Sequence, residues 1–201
     1  MSQFLIVYGT EYGQTEKIAM FMAEKIRARG HNVDIVYSRQ AVRSPESLQK
    51  YDGILVGAPV YMRKYPSSLR KWVRFHARQL SNKPTAFFSV CLGILQNDDA
   101  VQKELRGIVE DFFTWSGWRP GRWVVFAGAL RYSKYNWILK RIMRGIAKKA
   151  GSDTDISYDY EYTKWDQVLQ FTLDFVSSVE HPSEARTSEY SSRTQTSPGH
   201  Q

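Results

Sequence analysis

Gly9-Thr10-Glu11-Tyr12-Gly13-Gln14-Thr15 is the stretch whose reading decides the fold. It follows Gln3-Phe4-Leu5-Ile6-Val7-Tyr8, a short apolar run that reads as a buried strand. It precedes a helical pattern that runs from about Gln14 to Arg29. Strand, hydroxyl- and glycine-containing loop, helix is the order needed to hold a phosphate. The loop amides and the helix N-terminus point at the anion, and the helix dipole favours negative charge there. Thr10 and Thr15 can add hydroxyl donors, and Gly13 lets the backbone approach closely. The spaced glycines of the dinucleotide fingerprint are missing, and no Gly-Lys-Ser/Thr follows to make a Walker loop. An ordinary strand-to-helix turn has the same outline.

The loop resembles the FMN phosphate loop of flavodoxins, T-x-T-G-x-T, with Tyr12 where that family usually has a small hydroxyl residue. The departure removes one side-chain donor and leaves the amides.

Outward from this loop the chain alternates strand and helix signals. Ile18, Met22 and Ile26, with Ala19 and Ala23, give one buried helix face, and Gly30 is a natural stop. His31 in the turn reads as a solvated loop histidine. Asn32 to Tyr37 is the second strand, and Pro45 to Lys50 suggests a short helix. Gly53 to Ala58 has no polar alternation, which places it inside a parallel sheet covered on both faces. Leu69, Trp72, Val73, His76, Ala77 and Leu80 mark a further helix, with His76 on its apolar side as a packed, hydrogen-bonded core residue. Pro84 to Cys91 is the fourth strand. Val101, Leu105, Ile108, Val109, Phe112 and Phe113 make the next helical face, and Trp123 to Leu130 is the fifth strand. The expected architecture is α/β: a flavodoxin-like, doubly wound, five-stranded parallel sheet in the order 2-1-3-4-5.

In such a sheet, ligands sit beyond the carboxyl ends of the strands at the switch in strand order. The loops after the first, third and fourth strands then meet around one cofactor. The candidate FMN residues are Thr10, Glu11, Tyr12, Gly13, Gln14 and Thr15, then Ala58, Pro59, Val60 and Tyr61, and then Ser89, Val90, Cys91, Leu92 and Gly93. Tyr61 either stacks on a flavin ring or covers a helix end as a turn tyrosine. Cys91 is the sole cysteine, so it has no dithiol partner and reads as a small buried or flavin-adjacent residue. A single cysteine fits a reducing compartment.

The 201 residues carry a net charge of +8, unevenly placed. From Phe112 to Ser152 there is no Asp or Glu and there are nine basic residues; the rest of the chain has 19 basic and 20 acidic residues, a net of −1. Such a segment suits an anionic partner. The connection from Arg131 to Tyr162 is also far longer than the usual two to six or so residues. Wound as a helix, Ile138, Leu139, Ile142, Met143 and Ile146 fall within an arc of about 140°, with Lys140, Arg141, Arg144 and Lys148 opposite. With Trp137 and Tyr135 nearby, this basic amphipathic insertion suits an anionic membrane surface. A helix packed on the domain with a solvated basic face is the alternative. No nucleic-acid recognition motif is present. Asp155 to Tyr162 alternates with period two, as an edge strand does. Residues 181–201 are Ser-, Thr- and Glu-rich and read as a disordered tail behind a single domain of residues 1–180. No secretory signal is read at the N-terminus, and no apolar run is long enough to span a bilayer.

The phosphate loop, Gly57-Ala58, Gly117-Trp118-Arg119-Pro120, Ala127 to Tyr132, the basic helix and Tyr162 to Val168 together resemble the menaquinone-dependent protoporphyrinogen oxidases of bacteria. The resemblance covers about residues 3 to 179. It implies an FMN enzyme that oxidises protoporphyrinogen IX and passes electrons to menaquinone or another membrane quinone. Such an enzyme would be cytoplasmic and peripherally attached to the inner face of the cell membrane. The propionates of the substrate would suit basic partners. Arg63, Arg131 and Lys134 are the candidates near the flavin edge, and Tyr132, Trp137, Lys140, Arg141, Arg144 and Lys148 are further candidates for substrate or membrane contact. Pro59-Val60-Tyr61-Met62 departs from that family towards ordinary flavodoxins, which leaves the flavin-stacking position open. Two other readings compete: a soluble FMN electron carrier docking on an acidic redox partner, and a binding module that has lost FMN. No metal site and no proton acceptor are read from the sequence.

Overall fold

The computed structural model describes residues 1–41, 47–96, 98–131, 133, 155 and 157–182. Residues 134–154 of the insertion at 131–162, the start of the predicted short helix at Pro45, and the tail beyond 182 lie outside the described residues. So do Tyr132, Lys134, Trp137, Lys140, Arg141, Arg144 and Lys148.

Five strands, β1 (Gln3–Tyr8), β2 (Asn32–Tyr37), β3 (Gly53–Pro59), β4 (Thr85–Val90) and β5 (Arg122–Phe126), form one parallel sheet in the order β2-β1-β3-β4-β5. The side-chain period of two along β1 divides the core. Phe4, Ile6 and Tyr8 join the cluster under α1 (Gln14–Ala28) and α5 (Trp165–Glu180). Leu5 and Val7 join the cluster under α3 (Ser67–Leu80) and α4 (Asp99–Ser116). The sheet is therefore covered on both faces, which explains why Ile54, Leu55 and Val56 on β3 are all fully buried. A one-turn helix, α2 (Ser38–Ala41), follows β2 and has no strong pattern in the sequence. The expected helix near Lys50 is a short 3-10 turn, Leu48–Lys50.

The helix ends follow local chemistry. Asp98 caps α4 by accepting from the amides of Ala100 and Val101, and Gly117 closes it at φ 72°. Trp118, 1% exposed, then turns inward and its indole N–H donates to Thr85 Oγ1 at 3.2 Å.

Two expectations are corrected. The fifth strand does not run to Leu130. It ends at Phe126, and Ala129–Leu130 forms a separate strand, β6, antiparallel to β7 (Tyr160–Glu161). The carbonyls that follow β5 are taken by this returning segment: Thr163 Oγ1 donates to Ala127 O at 2.9 Å, and Tyr162 N to Gly128 O at 3.0 Å. His31 is not a solvated loop residue. It is 8% exposed, its Nδ1 accepts from the Ser2 amide at 3.1 Å, and its Nε2 lies 2.9 Å from Glu180. That clasp joins the N-terminus to the end of α5.

Candidate functional site

The β1–α1 loop leaves the sheet with Gly9 N still bonded to Gly57 O at 2.8 Å. Thr10 Oγ1 accepts from the Gly13 amide at 2.9 Å and closes the loop on itself. Gly13 has φ 92°, in the left-handed region that favours glycine, and caps α1 without a side-chain hydrogen bond. The first helical amides have no acceptor within the helix. With no side chain capping them, they are positioned to receive an anion, as the helix dipole favours.

Beside this loop lies a cavity of about 500 Å³. Three loops at the carboxyl ends of β1, β3 and β4 meet there, at the switch in strand order, and Gly128 and Ala129 after β5 also line it. Thr10, Glu11, Tyr12, Gln14 and Thr15 line it from the first loop, Pro59, Val60 and Tyr61 from the second, and Val90, Cys91, Leu92 and Gly93 from the third. Gly13 is not on the wall; it shapes the turn behind it. Ala58 and Ser89 are not on the cavity wall. Both side chains are fully buried behind the wall, and Ser89 Oγ accepts from the Tyr65 hydroxyl at 3.0 Å.

Tyr12 and Tyr61 meet edge to face at the cavity, their ring centroids 6.3 Å apart and their planes at 65°. Tyr61 is 40% exposed. It begins a tight turn in which its amide and carbonyl both bond to Lys64, at 2.9 and 3.0 Å. The central residues Met62 and Arg63 have φ 48° and 62°. Two consecutive non-glycine residues at positive φ are strained, and this turn holds that strain at the cavity rim. Arg63 lines the cavity and forms an ion pair with Glu104 of α4 across its mouth. Burial pushes the Cys91 thiol above its ordinary pKa, so it stays protonated and is a poor nucleophile.

Arg131, expected near the flavin edge, is not on the cavity wall. Its guanidinium donates to Gln14 Oε1 at 3.2 Å and lies 3.8 Å from Asp159. The Gln14 amide nitrogen donates in turn to Thr163 Oγ1 at 2.9 Å. Gln14 therefore staples the start of α1 to the β6–β7 pair. The sequence carries no signal for this, because Gln14 and Thr163 are 149 positions apart. Sequence reasoning also missed one whole wall: Gln96, Val101, Glu104, Leu105 and Ile108, from α4 and the turn before it. For Val101, Leu105 and Ile108 the signal is the apolar helical stripe, which periodicity alone assigns to the core; Gln96 and Glu104 carry none.

A family profile described as a flavodoxin domain matches residues 5–157. The protein named protoporphyrinogen IX dehydrogenase (quinone) from Escherichia coli K12 is 31% identical over 178 residues, covering 89% of this chain and 97% of that one. A protein of the same name from Leishmania major is 31% identical over 175 residues, covering 85% and 73%. Among solved structures, oxidised flavodoxin 1 from Bacillus cereus superposes with a TM-score of 0.52 at 18% identity, covering 88% of this chain and 98% of that one, which shows the fold. FMN is the cofactor of the flavodoxin domain, and the uncapped helix start beside an aromatic-edged cavity fits its phosphate and its flat ring. On its sequence and its sheet alike, the chain belongs to the flavodoxin family, among the oxidoreductases named protoporphyrinogen IX dehydrogenase (quinone).

Proposed function

We propose that this protein oxidises protoporphyrinogen IX to protoporphyrin IX and delivers the electrons to a membrane quinone, menaquinone in the first instance. The observation that carries the reading is the cavity: an uncapped helix N-terminus at one end, tyrosine rings at the rim, and a mouth crossed by one exchangeable ion pair. The names of the relatives from Escherichia coli and Leishmania major supply the substrate and the acceptor class.

FMN, when bound, accepts two electrons at a time, so the six-electron oxidation takes three cycles, each reducing one quinone. The protein's own residues bind, orient and shield. The amides after Gly13 and the hydroxyl of Thr15 hold the phosphate. Tyr61 and Tyr12 border the ring site, and Leu92, Leu105 and Ile108 keep water from it. Arg63 offers a guanidinium to a substrate propionate at the mouth. No described helix is long and apolar enough to cross a membrane. The proposed attachment is peripheral, on the inner face of the cell membrane, through the basic segment that includes Trp137, Lys140, Arg141, Arg144 and Lys148. Residues 1–180 are proposed as one domain and 181–201 as a tail.

The test is an anaerobic assay of protoporphyrinogen oxidation with added menaquinone analogue and controlled FMN. Porphyrin fluorescence should rise only when quinone and flavin are both present. A flavin-loaded protein that leaves the porphyrinogen unoxidised would refute the reading.

A further inference from the structure

Between Gly53 and Asn97 the sequence has no Asp or Glu and seven basic residues, Arg63, Lys64, Arg70, Lys71, Arg74, Arg78 and Lys83. Four of these are on α3. Leu69, Trp72, Val73, His76 and Leu80 of that helix are buried. Lys71, Arg74, Phe75 and Arg78 are left on the solvent side, all exposed. Phe75 is 69% exposed and stands among these cations. Arg70 and Arg74 both lie over the ring of Trp115 on α4, at 4.2 and 4.9 Å from its centroid. No ion pair among the described residues involves Arg70, Lys71, Arg74 or Arg78. Cations three and four apart on one helix repel each other. Stacking on an indole orients two of them and removes no charge. Before α3 the same chain passes through exposed Lys64 and through Met62, 79% exposed, at the cavity rim.

We propose that the solvent face of α3, with Phe75 at its centre and Trp115 at its edge, docks on an anionic lipid surface. Two kinds of group are exposed together here, and a bilayer accepts both: headgroup charge for the cations, and the headgroup–acyl boundary for an exposed phenyl ring. An acidic protein or a nucleic acid would need only the charges. The face is built from other residues than the basic insertion. It gives the described part of the fold its own contact with the membrane, and it rests on the proposed function only for its purpose, access to a lipid-soluble acceptor.

The test is co-sedimentation of the full-length, flavin-loaded protein with phosphatidylglycerol–phosphatidylcholine vesicles. Lys71→Glu, Arg74→Glu and Arg78→Glu combined should weaken binding by about tenfold or more, and Phe75→Ser by about threefold. Flavin content and turnover with a water-soluble quinone should be unchanged, and vesicles of phosphatidylcholine alone should not bind. If the triple variant sediments like the parent, the proposal is wrong and the attachment lies elsewhere. A loss on charge reversal with no effect of Phe75→Ser, matched by equal loss of binding to heparin, would also overturn it, because the face would then be a general polyanion site. Failure of the oxidoreductase reading shows separately, as absent turnover by the parent protein on quinone-loaded vesicles.

Discussion

At the residue scale, four residues carry distinct expectations. Gly13 holds φ 92° at the turn into α1. Gly13→Val should cost about 1–3 kcal/mol from backbone strain and tilt the amides that face the phosphate. Flavin absorbance per mole of purified protein should fall with it, and an unchanged ratio would count against the phosphate-loop assignment. Glu104 and Arg63 pair across the cavity mouth with side chains 43% and 70% exposed, so the pair is readily exchanged. Glu104→Gln should leave Arg63 free for a substrate carboxylate and lower KM by about two- to fivefold. Arg63→Gln should raise it, and steady-state kinetics on both variants checks the sign. His76 is 2% exposed between Trp72 and Phe75, and its Nδ1 has no hydrogen-bond partner. It is buried as the sequence suggested but not hydrogen-bonded at that atom. Burial lowers its pKa below the ordinary 6.5. The unfolded chain therefore binds the proton more readily than the folded one. Stability from this residue is present at neutral pH and drains as the pH falls through the unfolded value towards the folded one. Urea midpoints at pH 7 and pH 5 should differ less for His76→Leu than for the parent.

At the scale of elements, the sheet tolerates little change at β3. Gly57 pairs with Phe88 on β4, and a Cβ on Gly57 would fall 1.9 Å from the Phe88 ring. Gly57→Ala should destabilise by about 1–3 kcal/mol or more through overpacking. Adding Phe88→Leu should recover part of that loss, and the urea midpoints of the three variants measure it. The same scale shows where reading the sequence succeeds and where it stops. β1 and β2 emerge with the predicted ends, because short runs rich in β-branched and aromatic residues between turn residues are local signals. The fifth strand was read too long. Ala127 and Gly128 are compatible with a strand, and only the distant Tyr162 and Thr163, which take their carbonyls, end it. The stripe on α4 reads as core throughout. Periodicity identifies an apolar face but not whether a sheet or a cleft lies against it. Val109 and Phe113 pack inside, whereas Leu105 and Ile108 also line the cavity.

For the whole molecule, charge and topology set the orientation. The proposed flavin site opens where three loops meet, and the basic insertion joins the chain beside it through β6 and β7. Deleting residues 135–150 should spare flavin binding, because the loops after β1, β3 and β4 that line the cavity all precede that segment. It should reduce turnover with vesicle-embedded quinone by about tenfold or more, since losing several basic residues costs on the order of 1 kcal/mol each at an anionic surface. Turnover with a soluble quinone analogue should survive. Intact turnover with embedded quinone would show that the insertion has no part in reaching the acceptor.

The sequence by itself determined the alternation of strands and helices, the two-faced burial of the sheet and the position of the glycine-containing loop between β1 and α1. Each is written in residues close together along the chain, where periodicity, glycine placement and helix capping act. Tertiary structure alone decided that Gln14 is tied to Thr163 and Arg131, that Ser89 is spent on Tyr65, and that Glu104 faces Arg63. These pairs join residues 24 to 149 positions apart. Hydrogen bonds and ion pairs at such separations depend on which strand ends the fold brings together, and no local pattern encodes that.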